Sequence, residues 1–231
     1  MKQRISIIKK TIEIEEQNGE GSLTQQAYER LQEMIVTLEL KPGSMISEGQ
    51  LSQSLGFGRT PVREAVQRLQ QEQLLEIHRA QGILVPQISI VNQLKLLDVR
   101  RQLEPYVSLR AAKNANDQQR MAMARLAKQI IQSASDRSAL SFMRVNRNIH
   151  AIKIEAAGNG ILSSVMELFY GLSMRFWFAH YAGQAESLSK AGVLHAQILN
   201  AIVDREEEQA RRATIQLMDF LEQFTRQTLG Q

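Results

Sequence analysis

Residues 56–69, which read GFGRTPVREAVQRL, decide the fold because they combine a tight glycine turn with one short helix. Pro61 fits the first turn of that helix, where its missing N–H has no intrahelical partner to lose. One face is apolar, and the opposite face carries Arg59, Arg63 and Gln67 at intervals of four residues. This pattern is typical of a DNA recognition helix, which packs on a core and faces the duplex. The apolar positions are Val62, Ala65, Val66 and Leu69.

The flanking residues predict the rest of a winged helix-turn-helix domain. An apolar stripe marks a first helix, residues 47–55 form a second, and a Lys-Pro-Gly turn at residues 41–43 separates them. After the recognition helix, apolar residues alternate around residues 78–82, which predicts a small β-hairpin with Arg79 and Gly82 at its tip. The helical stripe consists of Ala27, Leu31, Met34, Ile35 and Leu38, and the alternating strand positions are Leu75, Ile77, Ile83 and Val85.

The order of these motifs resembles that of GntR-family transcription regulators. The resemblance is carried by residues 40–43 (LKPG), residues 46–48 (ISE), Leu51 and residues 59–65 (RTPVREA). The sequence departs from the family pattern at Leu38 and Gln73, where glycine is common, and at Gly58, where serine is common. None of these departures removes an arginine.

The resemblance implies a role in DNA binding for the recognition helix and the wing. Arg59 and Arg63 are expected to read guanine edges or to clamp phosphates, and Thr60 to contact the DNA backbone. Arg79 with Gly82 is expected to reach the minor groove. A homodimer of such domains would place two recognition helices in successive major grooves of a palindromic operator. The complete predicted set is Arg59, Thr60, Arg63, Gln67, Arg79 and Gly82.

The net charge of +4 does not by itself point to nucleic acid, because the excess of positive charge lies outside the predicted DNA-binding domain. Residues 1–88 carry 10 Lys and Arg against 11 Asp and Glu, a net charge of −1, whereas residues 89–231 carry 18 against 13, a net charge of +5. The prediction of DNA binding therefore depends on where four arginines are placed. These are Arg59, Arg63, Arg68 and Arg79.

Composition bounds the class of protein. The chain contains no cysteine, which excludes disulfides and thiolate metal sites and fits a reducing cytoplasm. No apolar run approaches the roughly 18 residues that span a bilayer, and the N-terminus lacks a secretory signal, so we expect a cytoplasmic protein without membrane contact. Residues 1–22 are expected to form a flexible tail, with strand pairing within residues 5–14 as the less favoured alternative.

From residue 91 onward the chain predicts six antiparallel helices, which together make a bundle able to enclose a small cavity. The predicted spans are 91–114, 117–133, 137–157, 160–181, 187–203 and 206–228. The fold class is therefore mainly α. A winged helix-turn-helix domain over residues 23–88 precedes an all-helical effector-binding and dimerisation domain over residues 89–231.

Polar side chains interrupt two apolar helical faces of this bundle. Asn146 and His150 lie on one face and His195 lies on another, so that two inward-facing histidines could meet. From the residues alone, a core histidine satisfied by one hydrogen bond is the commoner explanation for each.

This half of the chain resembles the effector domain of the FadR-type GntR subfamily. The resemblance is carried by residues 100–104, Asn146 with His150, residues 158–159, and residues 195–202 followed by Ala210. In many members an Asp and three His hold a divalent metal to which a carboxylate effector binds. His150 and His195 fall on two of these positions, but Asn146 replaces the Asp and Leu217 replaces the third His. Two imidazoles and a neutral amide make a poor metal site, so we expect no metal or other cofactor, or at most a weak ion held by the two histidines.

Two arginines complete the predicted effector-binding residues. Arg100 lies four residues before Glu104, and a surface ion pair of about 0.3–0.5 kcal/mol explains that spacing at least as well as ligand contact does. Arg175 lies in a helix with aromatic residues on all sides, which is either deeply buried or shared with a partner. The predicted effector-binding set is Arg100, Asn146, His150, Arg175 and His195.

The sequence therefore predicts a sequence-specific transcription regulator that binds double-stranded operator DNA, dimerises and responds to a small carboxylate effector. The main alternative is an architectural DNA-binding protein whose bundle only dimerises. An enzyme with His150 and His195 as acid and base is less favoured, because no nucleophile, paired carboxylates or phosphate loop accompany them.

Overall fold

The structure, a computed structural model, describes residues 21–181 and 184–228. These residues form a small N-terminal head and a larger helical bundle, joined by residues 86–89. The head comprises helices α1 (Leu23–Val36), α2 (Glu48–Leu55) and α3 (Arg59–Gln71) and strands β1 (Met45–Ile46), β2 (Glu76–His78) and β3 (Gly82–Leu84). The bundle comprises helices α4 (Ile90–Asn114), α5 (Asp117–Ser135), α6 (Ala139–Ala157), α7 (Gly160–His180), α8 (Ala185–Val203) and α9 (Glu207–Gln227).

The wing is a three-stranded antiparallel sheet in the order β1-β3-β2, and not the two-stranded hairpin that the sequence predicts. Strand β1 pairs with β3 so that Met45 lies opposite Leu84 and Ile46 lies opposite Ile83. Ile83 is buried, but Ile77 in β2 is 42% exposed. Strand β1 was missed because two residues are too few to show an alternating pattern.

The head has its own apolar core, in which α3 packs against α1 and α2. The four apolar residues of α3 that the sequence places inward are each at most 1% exposed, which confirms the predicted face. Ser47 caps α2 in a reciprocal arrangement with Gln50, so the helix begins at Glu48, one residue later than predicted.

Non-glycine residues adopt left-handed backbone conformations at three positions of the head, one of which is Ala80 in the turn of the wing. The predicted stripe of α1 is wrong at Leu38, because the helix ends at Val36 and Leu38 has a φ of +63°. Gln73, just after α3, has a φ of +58°. These are the two positions where the family commonly has glycine, which adopts this conformation without the steric cost of a Cβ atom.

The bundle helices begin and end within two residues of the predicted spans. Side-chain caps explain most of the starts, since Asn116, Ser138 and Asn159 each accept a hydrogen bond from the first turn of the helix that follows. Gly158 ends α6 in a left-handed conformation. The bundle core lies between these helices and is separate from the core of the head.

The head rests on helices α6 and α7 of the bundle. Gly171 of α7 makes room for Leu74, because an added Cβ would overlap the Leu74 side chain. Val36 of α1 packs against Met143 of α6 and Met174 of α7. Two ion pairs join α1 to α6, between Glu33 and Arg144 at 2.8 Å and between Glu29 and Arg147 at 3.3 Å.

Residues 1–20 of the predicted tail, and with them the alternative strand pairing within residues 5–14, lie outside the described residues. Ser22, the last residue of that predicted tail, caps α1 by accepting a hydrogen bond from the Gln25 N–H at 3.2 Å. Within the part of the chain that the structure describes, no helix is long and apolar enough to cross a membrane.

Candidate DNA-binding surface and effector cavity

Recognition helix α3 presents its polar side chains to solvent. Arg59 and Thr60 lie in its first turn and, like Arg63 and Gln67, are exposed. Gly58 precedes the helix without a side-chain hydrogen bond, so the first N–H groups of α3 are not occupied by a capping side chain. A row of exposed donors beside such a helix start suits both phosphate oxygens and base edges.

Arg63 is held in place by Glu48 of α2. Its Nε and Nη2 atoms donate to one Glu48 carboxylate oxygen at 3.2 and 3.0 Å. These hydrogen bonds and the charge of Glu48 raise the pKa of Arg63 above its ordinary value. The pair orients the guanidinium, and a base or phosphate contact by Arg63 would have to share or displace Glu48.

The wing places Arg79 in solvent, in the turn between β2 and β3. Gly82 has a structural reason to be glycine, since its φ is +122° and an added Cβ would lie 3.0 Å from the carbonyl oxygen of Ile46. Arg68 belongs to the packing of the head, because its guanidinium lies 3.7 Å from the centroid of the Tyr28 ring. Of the four arginines on which the prediction of DNA binding depends, Arg59, Arg63 and Arg79 are exposed, with Arg63 paired to Glu48.

Inside the bundle, side chains of α4, α6, α7, α8 and α9 enclose a cavity with about 40 Å³ of space that water can occupy. This is room for only a few water molecules, given roughly 15 Å³ for each. The cavity brings together four of the five predicted effector-binding residues, and Leu217 also lines it. These four are Arg100, Asn146, His150 and His195.

A buried cluster of charges lines the cavity. Arg100 Nη2 donates to Glu104 at 3.0 Å, and Lys153 Nζ donates to the other carboxylate oxygen at 3.2 Å. Arg100 Nη1 donates to the Ser173 hydroxyl at 2.5 Å. Burial opposes the ionisation of Glu104, but Lys153 and Arg100 outweigh it and hold the pKa of this carboxyl well below its ordinary value. Two cations and one carboxylate leave a net charge of +1.

The ion pair between Arg100 and Glu104 is present but is not the surface pair that the sequence suggests. Arg100 is 9% exposed and Glu104 is 3% exposed. The pair is therefore part of the cavity wall and not a solvated helix contact, and ligand contact by Arg100 stays a prediction.

The two histidines are neutral at pH 7. Burial is the largest cause that lowers the pKa of His150 to about 4 and that of His195 to about 3; Lys153 also acts to lower both values, and Glu104 acts to raise them. His150 Nε2 lies 3.0 Å from the Met166 carbonyl oxygen, so Nε2 carries the proton and donates. His195 Nδ1 is buried and has no hydrogen-bond partner among the described residues. That nitrogen offers a ligand an unused polar contact.

The cavity residues do not fit a divalent metal. No group of three His, Cys, Asp or Glu side chains able to hold a metal ion occurs within residues 21–181 and 184–228. The Glu104 carboxylate is engaged by two cations, Asn146 Nδ2 donates to the sulfur of Met174 at 2.9 Å, and Leu217 has no ligand atom. The expected absence of metal stays a prediction, for elemental analysis of the purified protein to check.

Arg175 does not line this cavity. It is 5% exposed and lies in the cleft between the head and the bundle, where Nη2 donates to the Gln87 carbonyl oxygen over a long 3.5 Å. The aromatic residues of α7 mostly pack inside the chain, and Trp177 stacks on Phe224 of α9 with ring centroids 4.8 Å apart. Burial within the chain therefore explains most of the aromatic residues of α7, without contact with a partner.

Lys153 and Ser173 are cavity residues that the sequence analysis did not single out. Lys153 follows His150 by three residues on α6, so helical spacing already placed it on the same face. It was passed over because lysine is ordinarily a surface residue. Ser173 belongs to no pattern, and only the packing of α7 against α4 brings it to Arg100.

Comparison with known families agrees with this architecture. Residues 23–85 match the family described as bacterial regulatory proteins, gntR family, and residues 95–220 match the FCD domain. The chain belongs to the GntR family and carries an FCD domain. It is therefore a DNA-binding transcription regulator, and the matched domains are those of regulators and not of enzymes, as the sequence predicts.

Individual relatives are also named as transcription regulators. The HTH-type transcriptional repressor RspR of Escherichia coli is 24% identical over 212 residues, 91% of this chain and 92% of that protein. An uncharacterized HTH-type transcriptional regulator of Streptomyces ambofaciens is 43% identical over 61 residues, 26% of either chain. Among solved structures, Escherichia coli McbR/YncC gives a TM-score of 0.77 at 23% identity, with 90% of this chain and 99% of that chain covered, which shows a shared fold.

Proposed function

We propose that a small organic anion bound in the bundle cavity controls how strongly this GntR-family regulator binds its operator. One observation carries the proposal: a single side chain of α7 contacts both the cavity and the DNA-binding head. Met174 lines the cavity and also packs against Val36 of α1. A ligand larger than the 40 Å³ now open has to displace the wall, and Met174 transmits that displacement to the head.

A carboxylate on an apolar body suits this cavity. The net charge of +1 from Arg100, Lys153 and Glu104 is balanced by one negative charge. Both cations have more N–H donors than Glu104 and Ser173 use, and His195 adds an unpaired nitrogen. The remaining wall is largely apolar and aromatic, with Phe142, Phe169 and Trp177 among its members.

Helix α6 is the second connection between the cavity and the head. One side of it carries Asn146, His150 and Lys153 into the cavity wall. Another side carries Arg144 and Arg147, which pair with carboxylates of α1. A small rotation or shift of α6 on effector binding would therefore change both the cavity and the contacts between the bundle and the head.

The proposal includes a homodimer formed through α4 and α7. These helices pack together, and apolar side chains left exposed along them include Ile161 at 82%, together with Val165 and Leu168. Val99 and Tyr106 of α4 are exposed as well. A second copy covering this surface would remove it from water and would fix the spacing of two recognition helices. The cytoplasmic location expected from the sequence belongs to the same proposal.

The test begins with an operator obtained by selection from random double-stranded DNA. Operator affinity is then measured by fluorescence anisotropy across a panel of small carboxylates, and we expect at least one acid to change it fivefold or more. Met174→Ala should reduce that change while leaving operator affinity without the acid near its original value. Met218→Ala is the matched control, because it truncates a buried methionine of the bundle core that does not line the cavity.

The outcomes separate the candidate functions. Selection of one preferred sequence excludes a nonspecific architectural protein. Specific binding that no acid alters would contradict effector control and leave a regulator whose bundle only dimerises.

A further inference from the structure

We infer that the cleft between the head and the bundle is a second anion-binding site, built around Arg175, for a small carboxylate on an apolar body. The cleft holds about 640 Å³ of space that water can occupy. Its walls come from the end of α3, the linker of residues 86–89, and helices α4 and α7. It is a different place from the bundle cavity, whose wall does not include Arg175.

Arg175 is a buried cation without an acidic partner among the described residues. Its side chain is part of the cleft wall, yet the residue is only 5% exposed and takes part in none of the ion pairs found within residues 21–181 and 184–228. Among the residues that the structure describes, Nη1 has no hydrogen-bond partner and Nη2 has only the long contact to the Gln87 carbonyl oxygen. Burying an unpaired guanidinium is costly. A bound anion would supply the missing partner.

The chemistry of the cleft selects the ligand. A guanidinium binds a carboxylate with two parallel hydrogen bonds, and the Gln87 contact is weak enough to yield to it. Ile88, Leu96 and Leu172 supply an apolar wall, which a bare inorganic anion would leave uncovered. The polar part of the lining combines amide side chains, among them Gln70, Gln71 and Gln93, with Lys95 and two carboxylates. Of these carboxylates, Glu72 is engaged by Tyr28 and Arg68, and Glu76 is exposed to solvent.

A ligand in this cleft would contact the head, the linker and the bundle together, and would therefore bias the pose of the head. The cleft is also connected to the bundle cavity through one hydroxyl. Gln93 Nε2 donates to Ser173 Oγ at 3.4 Å, and Ser173 Oγ also accepts from Arg100 of the cavity. The two sites are neighbours, but the Arg175 site does not require that the cavity bind an effector.

Hydrogen-exchange mass spectrometry of the full chain tests the assignment. Hexanoate should slow amide exchange at least threefold in residues 70–76 and 86–96, whereas acetate, inorganic phosphate and 1-hexanol should have little effect. Arg175→Met should lose this protection and should unfold at the same denaturant concentration or a higher one, because the buried unpaired charge is gone. Arg101→Met removes a surface arginine of α4 and should keep the protection.

Protection that persists in Arg175→Met, or no protection by hexanoate in the unaltered chain, would overturn the site. Equal protection by phosphate or acetate would overturn the apolar-body assignment. If Arg175→Met does not fold, Arg175→Lys keeps the charge without the planar fork and should weaken protection at least threefold. Trp177, the one tryptophan of the chain, lines the bundle cavity and not the cleft. A hexanoate response confined to Trp177 fluorescence would thus support the cavity and contradict the cleft site.

Discussion

Arg59 and Arg63 lie on the exposed face of α3, and Arg63 is also paired with Glu48 of α2. Replacing either by alanine should weaken specific operator binding by about 1–3 kcal/mol, the usual loss for a bidentate base contact, without lowering the stability of the fold. Anisotropy with the selected operator and urea unfolding measure the two effects. Arg211→Ala is the control, since it removes a surface arginine that pairs with a carboxylate as Arg63 does. Unchanged affinity in both variants would refute the recognition-helix assignment.

The neutral histidines of the cavity should make folding stability depend on pH. In the unfolded chain they titrate near the ordinary pKa of 6.5, but burial lowers the pKa of His150 to about 4 and that of His195 to about 3 in the folded protein. Below pH 6.5 the unfolded chain therefore binds protons that the folded chain does not, and stability is lost as the pH falls. Between pH values of about 7.5 and 5.5 each histidine should contribute a loss of about 1 kcal/mol.

Urea unfolding at the two pH values measures this loss. His150→Gln and His195→Gln should each reduce it by about 1 kcal/mol. If both cavity variants lost as much stability between the two pH values as the unaltered protein does, burial would not be holding the two rings neutral.

At the scale of elements, the turn after α3 is the clearest point of strain. Gln73 is exposed and has a φ of +58°, so Gln73→Gly should stabilise the head by about 1 kcal/mol. Gln70→Gly, three residues earlier on the exposed side of α3, should instead destabilise it by about 1 kcal/mol. Thermal and urea unfolding measure the change in stability of each variant, and we expect opposite signs. Changes of the same sign and size would contradict the strained-turn explanation.

Some of these elements could be predicted from the sequence and others could not. The bundle helices were predictable because their apolar periodicity and their caps at Asn116, Ser138 and Asn159 are local features. Strand β1 was not, because its partner lies almost forty residues away and two residues carry no period. The histidines of the site were visible as polar residues on apolar faces. The position of Ser173 in the cavity and the position of the head on the bundle depend on packing between distant helices, which no local pattern encodes.

At the scale of the whole molecule, the exposed apolar surface of α4 and α7 should mediate the dimer. Val165→Glu, which places a charge on that surface, should shift the mass found by light scattering from dimer to monomer and should weaken operator binding at least tenfold. Met121→Glu makes the same change at an exposed residue of α5, away from that surface, and should leave the dimer intact. A Val165→Glu protein that stays dimeric would assign the dimer contact to another face.

The central claim is that the bundle cavity and the DNA-binding head are coupled, and Trp177 allows both to be followed in one titration. Because Trp177 lines the cavity, its fluorescence should change as a small carboxylate binds there. Operator affinity, measured by anisotropy in the same samples, should change fivefold or more with the same midpoint, since coupling between two sites is reciprocal. A carboxylate that saturates the Trp177 signal while operator affinity stays constant would contradict the coupling.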